Sequence, residues 1–417
     1  MIRALRGTQD ILPDQTWKWQ YLEETVRRLF AVYGYQEIRT PMFESTDLFQ
    51  RGIGDTTDVV TKEMYTFEDR GKRSITLRPE NTASAVRAYL EHKIYGDQQV
   101  NKYYYIGSMF RYDRPQAGRF REFHQFGAEV FGSDSPAADT EIIAFPYQLF
   151  RELGLKDLKV YVNSIGCPKC RPVYRQKLID FFRPKIDRLC DDCRERLEKN
   201  PLRILDCKEE SCKEASIGAP EITDYLCDEC REKFSALKEG LDASGIPYEV
   251  DPRLVRGLDY YTNTAFEIQY LPLGAQSAIC GGGRYDGLAD EIGDIHVPGV
   301  GFAAGMERLI LALEMQGLFP EENKSGGVFV AAVGKEAVPA AVGILQNLRN
   351  AHIHAESDLQ GRSLKSQMKR ADKMGASAVV IIGDEELAAR RAVVRRMDTS
   401  EQSTVPFEEI AAAVKQL

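Results

Sequence analysis

Apolar and polar positions along this chain change period from one segment to the next. Between about 15 and 33, Trp17, Tyr21, Val26, Leu29 and Phe30 recur at helical spacing among charged residues. That pattern predicts an amphipathic helix, with Gly34 as its cap. YQEIRTPMFE (35–44) reads as extended, and Pro41 should end that strand or hold it at a sheet edge. KYYYIGSMFRYD (102–113) and RFREFHQFGAEVF (119–131) are β-rich runs around RPQAG, a loop punctuated by Pro and Gly, and together predict a hairpin. Strand alternation puts Arg119, Arg121, Phe123, Gln125, Gly127 and Glu129 on one face. Phe120, His124, Phe126, Ala128 and Val130 take the other, which reads as core. The first face is either solvated or a ligand platform, with Phe123 as a stacking surface and Gly127 leaving room.

Two segments differ from this body. Residues 167–247 are helix-rich and mixed in charge, carry eight of the nine cysteines, and lie between two parts of the body, so they read as an insertion. After ENKSGG a new pattern starts near 326. VFVAAVG (328–334), a helix near 336–350, HIHAE (352–356), a helix near 362–374, SAVVIIG (377–383), RAVVRRM (391–397) and a last helix near 406–416 alternate. This predicts a small α/β domain with a largely parallel sheet. The expected domains are therefore 1–325, interrupted by 167–247, and 326–417.

With 417 residues the chain has room for two or three cores. Its 43% hydrophobic and 28% charged content suits a soluble globular protein. The start, MIRALRGTQDILP, has no apolar run of signal-peptide length, and no window reaches membrane-helix length. A net charge of −8 argues against a generic nucleic-acid coat, though a local basic patch can still bind RNA. Nine cysteines without an export signal suggest a reducing compartment, where clustered Cys mean metal or free thiols more often than disulfides. They form CPKC (Cys167, Cys170), CDDC (Cys190, Cys193), CKEESC (Cys207, Cys212) and CDEC (Cys227, Cys230). Eight such ligands make either two zinc sites of four cysteines each or a set of reduced, packed thiols; the longer gap at 207–212 and the acidic spacers fit zinc less well.

The chemistry-bearing motifs are rich in arginine. RGLDYYT (256–262) sets a permanent cation beside two tyrosines, and CGGGRYDGL (280–288) puts three glycines before a helix-competent stretch. Those glycines allow close backbone approach to a ligand, or simply a tight turn. MFRYDRPQAGRFREFHQFGAE (109–129) and GVGFAAGMERL (299–309) add more arginines, which bind phosphate or carboxylate as a fork. Several arginines around one platform repel unless an anion, or partners such as Asp113, Glu122 and Glu129, lie among them. Arg308 either reaches a phosphate or pairs with Glu307 or Glu314. In TLRPENT, Glu80 either accepts from a ligand ammonium or pairs with Arg78 across a turn. GVGFAA fits the Gly-x-Gly-x-x-Ala form, but Pro298 and the lack of a surrounding βαβ unit argue against a dinucleotide fold.

These motifs resemble those of a known family. GYQEIRTPMFE, MFRYDRPQAGRFREF and GFAAGMERL resemble the three motifs of class II aminoacyl-tRNA synthetases, and RGLDYYT with GGGRYDGL resembles the signatures of bacterial histidyl-tRNA synthetases. The resemblance spans essentially the whole chain. It implies an α/β protein: an α+β catalytic domain whose antiparallel sheet is flanked by helices, a helical insertion, and a C-terminal α/β anticodon-binding domain. It also implies a cytoplasmic homodimer that uses ATP with Mg2+, L-histidine and tRNA-His. By matching position, Arg111 would hold the α-phosphate, Phe123 would stack on adenine with Arg121 also on ATP, and Arg308 would pair the γ-phosphate. Arg256 would bridge histidine carboxylate and α-phosphate, where relatives place a metal ion. Glu80, Thr82 and Gln125 would hold the α-amino group, and Glu129 and Tyr261, with Tyr260 nearby, would read the imidazole. Arg114 and Gln116 would approach the 5′ end of the tRNA. Lys365, Lys369, Arg370, Arg395 and Arg396 are candidates for anticodon contacts.

Two positions depart from the family pattern: Asn81, often Gly, and Asp113, usually Glu. Both alter local geometry. Simple alternation also separates Tyr260 from Tyr261, so both can line one site only across a bulge or bend. The rival readings are a non-catalytic regulatory subunit of ATP phosphoribosyltransferase, a synthetase for another amino acid, and a zinc-scaffolded RNA-binding protein.

Overall fold

The computed structural model describes residues 2–54, 57–96, 100–321 and 326–416. The chain divides into two compact units, Met1–Phe319 and Pro320–Leu417.

The first unit is built on an eight-stranded sheet. Its order is Gln36–Glu37, Asn101–Phe110, Glu122–Phe131, Gly299–Gly305, Ala278–Arg284, Thr262–Tyr270, Leu158–Ser164 and Glu249–Val250. Only the two-residue edge strands pair parallel; every inner pairing is antiparallel. One face is covered by the helices Pro13–Val32 and Pro136–Glu152. Their buried stripes, Leu22, Val26, Leu29 and Phe30 against Ile142, Phe145 and Leu149, share one core with Tyr104, Phe126 and Val130. Phe30 stacks on Phe145 at 4.0 Å and on Tyr104 at 4.3 Å. The other face carries a second core, where the helix Thr82–Glu91 meets Tyr260, Tyr261 and Tyr285.

The hairpin forms as an unbroken ladder from Asn101↔Phe131 to Phe110↔Glu122. It is shorter than its β-rich runs. Beyond Glu122 the pairing thins: Arg111 N–H still donates to Arg121 O at 2.9 Å, but Arg121 N–H donates to Gly7 O at 2.7 Å, and Gln116 and Arg119 close on each other. Arg121 therefore leaves the side that Phe123, Gln125 and Glu129 share, while Arg119 stays on it. The segment 35–44 splits at Pro41 into Gln36–Glu37, at the sheet edge, and Phe43–Ser45, in a separate three-stranded sheet.

The helical segment after Ser164 packs mostly on itself, with Tyr174, Leu178, Phe182, Leu197 and Ile204 around its cysteines. Its last helix, Asp228–Ala243, instead turns Phe234, Leu237 and Leu241 into the main core.

In the second unit the sheet order is Ala355–Ser357, Val328–Ala332, Ala378–Ile382, Arg391–Arg396, Gln402–Pro406. The first three strands are parallel; the last two run antiparallel as a hairpin. The sheet is thus mixed rather than largely parallel. Gln402–Pro406 escaped the pattern because its polar, exposed positions carry no apolar alternation. Among the described residues no helix is long and apolar enough to cross a membrane.

One buried ion pair ties the sheet to its covering helix. Arg284, 1% exposed, donates to Asp139 and to the carbonyl of Ser133 at 2.7 Å, and pairs with Asp286 at 3.1 Å. Removing one partner of such a pair leaves a buried charge uncompensated. Asp139→Ala should cost about 3 kcal/mol of stability in urea unfolding; a loss below about 1 kcal/mol would show that Asp286 and the carbonyls satisfy Arg284 without it.

Candidate active site

A cavity of about 320 Å³ opens over the middle strands of the first unit. Its wall includes Glu80, Thr82, Arg111, Phe123, Gln125, Arg256, Tyr260, Tyr261 and Arg308, which the chain supplies from separate segments.

The cationic end comes from the hairpin and the helix Met306–Gln316. Arg111 Nε donates to Pro79 O at 2.8 Å, and its guanidinium lies 5.4 Å from the centre of the Phe123 ring. Arg308 donates to Ala278 O at 2.7 Å and Gly118 O at 3.2 Å, while Glu314 pairs with Lys18 and Glu307 holds His124. Burial lowers the pKa of Arg308, and the charges of Arg119 and Arg111 lower it further. Three like charges thus share one rim, and Asp113 lies against Arg119. Asp113 also accepts from the Arg114 amide at 2.7 Å, so the shorter side chain is spent on the hairpin connection itself.

The opposite end is built on carboxylates and hydroxyls. Glu80 caps the helix Thr82–Glu91, accepting from the amides of Thr82 at 2.6 Å and Ala83 at 3.0 Å. Arg78 does not pair with it; Arg78 donates to the carbonyls of Ser108 and Thr40 and to Asn81 Oδ1. Asn81 thereby ties this turn to Thr40, whose hydroxyl donates to it at 2.6 Å. Behind Thr82 lies Glu129, fully buried, accepting from Thr82 Oγ1 at 2.8 Å, Tyr105 at 3.2 Å and Tyr285 at 2.5 Å. Burial pushes its carboxyl up to about 8, against the pull of those hydroxyls, with nearby Glu80 adding to the rise.

Tyr260 and Tyr261 both reach the cavity because RGLDYY is not a strand: the ladder begins only at Thr262. Arg256 pairs with Glu267 at 2.8 Å and lies flat over Gly281, where any Cβ would meet its guanidinium. The close approach allowed by the glycine triplet is therefore to the chain's own arginine. Gly283, at φ +155°, takes a backbone conformation that side chains disfavour, at the bulge that shifts the register with Thr262. The room over Gly127 is likewise filled from within, by the Tyr105 phenol.

Other sequence candidates fall elsewhere. Arg121 is outside the cavity wall, stacked 3.8 Å over the Tyr112 ring, because it sits past the end of the ladder. Arg114 and Gln116 lie in the hairpin connection, away from that wall. Tyr105 and Glu307 join the wall without having been singled out for it, Tyr285 stands behind it on Glu129, and Arg119 keeps the platform side that alternation gave it. Tyr105 was findable from its pairing with Gly127, and Tyr285 from its place inside GGGRYD. Two buried wall atoms, Gln125 Oε1 and Arg256 Nε, have no hydrogen-bond partner.

An antiparallel sheet with helices on both faces, a cavity that is cationic at one end and carboxylate-lined at the other, and a separate α/β unit together suit an aminoacyl-tRNA synthetase. The family described as histidyl-tRNA synthetase matches residues 7–169 and 194–309, and the anticodon binding domain family matches 327–417. The histidine–tRNA ligase of Halothermothrix orenii is 58% identical over 416 residues, covering 100% of this chain and 99% of that one. That of Desulforamulus reducens is 54% identical over 98% of both chains. The crystal structure of the apo histidyl-tRNA synthetase of S. aureus aligns over 100% of both chains with a TM-score of 0.84 and 42% identity. The chain belongs to the histidyl-tRNA synthetase family and is an enzyme, with histidine–tRNA ligase activity. The regulatory-subunit alternative is not favoured.

The raised Glu129 carboxyl has a consequence for stability. A proton held more tightly in the folded state stabilises it in full below the ordinary value of 4.5, and that contribution is lost as pH rises to about 8. The stability of wild type relative to Glu129→Gln should therefore fall between pH 5 and pH 8, read from urea midpoints. A difference that stays constant over that range would mean Glu129 is ionised throughout.

Proposed function

We propose that this cavity activates L-histidine with ATP to histidyl-adenylate and then passes the histidyl group to tRNA-His. In the first step a histidine carboxylate oxygen attacks the α-phosphorus, and the bond to pyrophosphate breaks. In the second the 3′-terminal ribose hydroxyl of the tRNA attacks the acyl carbon, and AMP leaves.

The observation that carries this reading is the pair of unlike ends in one cavity. Arg111 and Arg308, joined by Arg119, hold the triphosphate, and their mutual repulsion is relieved when that anion enters. Phe123 stacks on the adenine. Mg2+ carried in with ATP would neutralise part of its phosphate charge; Asp113 and Glu307, the wall carboxylates at that end, already hold, respectively, Arg119 with the Arg114 amide and His124, so the phosphates themselves would be its main oxygen donors. Arg256 bridges the histidine carboxylate and the α-phosphate. Its surroundings support that place, because its charge acts on Tyr261 while that of its partner Glu267 acts on Arg308. Glu80 and the orphaned Gln125 oxygen accept from the α-ammonium, beside the Thr82 hydroxyl. A neutral imidazole offers one donor and one acceptor. Its N–H donates toward Glu129, replacing a hydroxyl now spent there, and Tyr261, with Tyr260 beside it, donates to the other nitrogen. An apolar isostere would leave these buried groups unpaired, so it is rejected.

On this reading residues 1–325 are the catalytic domain with its insertion at 167–247, and 326–417 bind the anticodon. Arg114 and Gln116 approach the 5′ end of the tRNA. Lys365, Lys369 and Arg370 lie exposed on the helix Leu364–Met374, with Arg395 and Arg396 on the strand Arg391–Arg396 of that unit. Phosphate contacts would position the tRNA and base contacts specify it. The insertion's cysteines hold structural zinc, and the protein works as a cytoplasmic homodimer.

ATP–pyrophosphate exchange with each of the twenty amino acids tests the core of this: exchange should occur with histidine alone, and its absence with histidine would overturn the reading. Arg256→Ala should lower histidine-dependent exchange by at least about a hundredfold, the scale of losing a transition-state contact; near-normal exchange would remove Arg256 from the chemistry. Tyr261→Phe should raise the KM for histidine well above any change in the KM for ATP, and an unchanged histidine KM would count against the imidazole contact.

A further inference from the structure

The chemistry left unused by the cavity lies in the eight cysteines of the helical segment. They converge as two groups of four, Cys167, Cys170, Cys227, Cys230 and Cys190, Cys193, Cys207, Cys212, with the sulfurs of each group all within 4.8 Å of one another. The first group joins the two ends of the segment; the second is nested inside it. Sulfur separations are 3.7 Å for Cys167–Cys170, 3.9 Å for Cys167–Cys227 and 3.8 Å for Cys190–Cys207. Four thiolates at about 2.3 Å from a zinc ion stand about 3.8 Å apart at the corners of a tetrahedron. A disulfide needs about 2.05 Å. Each group also has a backbone amide aimed at a sulfur: Cys227 N–H to Cys170 Sγ at 3.1 Å and Cys190 N–H to Cys212 Sγ at 3.2 Å. Five of the fifteen buried residues of this segment's core are cysteines, so the core is weak unless something cross-links it.

The two groups touch the cavity differently. The outer group is wired to the segment that carries the tyrosines. Gly166, next to Cys167, accepts from Asn263 N–H at 3.0 Å, and Ile165 N–H donates to Asn263 O at 2.7 Å. Asn263 is held at φ +49°, with its side-chain Oδ1 3.1 Å from Cys230 Sγ. A thiolate there would take the amide's NH2 instead, by a flip of that side chain. Arg171, directly after Cys170, donates its guanidinium to the carbonyl of Tyr261. The inner group reaches the body only through side chains beyond its own cysteines: Arg196 to Asp58 at 2.9 Å, and Asn200, seven residues after Cys193, to the side chain of Asp259 before Tyr260 at 3.0 Å.

We propose that the two groups are tetrahedral zinc sites with separate duties: the inner site folds the insertion, and the outer site is a positioning device that fixes Tyr261 for the amino-acid substrate. The second half rests on the reading of the cavity given above.

The experiment uses the full chain, purified without chelator. Mass spectrometry of its metals should find about two zinc ions per chain. Iron instead, or less than half an equivalent of zinc, would overturn the sites. Cys167→Ser/Cys170→Ser and Cys190→Ser/Cys193→Ser should each lose one zinc. The outer pair should raise the histidine KM in pyrophosphate exchange about tenfold, the usual scale for a support behind a binding group, with the ATP KM changed less than about twofold. The inner pair should lower Tm and leave the histidine KM within about threefold of wild type. Equal effects of the two pairs on the histidine KM would overturn the division. Arg171→Gln covers an outer pair that fails to fold: it should keep both zinc ions and still raise the histidine KM, and an unchanged KM would overturn the link. Two zinc ions with no histidine-dependent exchange in wild type would defeat the functional reading and leave the metal sites standing; exchange without zinc would do the reverse.

Discussion

The site depends on one carboxylate that water does not reach. Glu129 is fully buried and is held by hydroxyls from three elements: Thr82 at a helix start, Tyr105 on the hairpin strand and Tyr285 after the glycine-rich strand. Burying such a group without those partners would cost several kcal/mol. With them, it fixes the relation of three segments that are distant in sequence. It also explains the small residues nearby: a side chain at Gly301 would collide with the Glu129 carboxylate, and one at Gly127 with Tyr105. The sheet is thinned along this line so that a polar knot fits inside an otherwise apolar body.

The cationic rim obeys the opposite logic. Backbone carbonyls orient the guanidinium groups of Arg111 and Arg308. Burial and the charges of Arg119 and Arg111 lower the pKa of Arg308. The fold tolerates that strain because the remainder of the helix Met306–Gln316 packs firmly, through Leu309, Ile310 and Leu313, into the main core. A charge arrangement that is unfavourable alone and favourable with an anion is what a phosphate site requires.

Much of this was legible in the sequence where period and chemistry agreed. The first helix, the hairpin and, of the expected core face, Phe126, Ala128 and Val130 follow from spacing alone, whereas Phe120 lines the cavity and half-buried His124 bonds Glu307. What spacing could not supply was where the ladder stops. Arg119 and Arg121 share a parity with Phe123, yet the backbone at 121 bonds to Gly7, and Arg121 turns to Tyr112 while Arg119 remains on the wall. Tyr260 and Tyr261 were separated by parity for the same reason, since parity applies only within a strand and theirs starts at Thr262. The purpose of the glycines was also hidden. Nothing local in CGGGRYD says that the close approach at Gly281 is made by Arg256, because that contact depends on which strands become neighbours.

Topology accounts for where the cysteine-rich segment emerges. The strands Leu158–Ser164 and Thr262–Tyr270 are antiparallel neighbours, with Ser164 paired to Thr264. The chain leaves the sheet at Ser164, returns first to the edge strand Glu249–Val250, and re-enters at Thr262 beside the point it left. The point adjoins Tyr261, so an insertion here cannot be remote from the polar end of the cavity, however far its helices extend. A flexible connection at such a place would let the tyrosines drift, and loops are otherwise where positional precision is poorest. The zinc site proposed at Cys167, Cys170, Cys227 and Cys230 would turn the same connection into a clamp. The four cysteines thus converge where the sheet leaves Tyr260 and Tyr261 on a loop, outside the ladder that orders the rest of the wall.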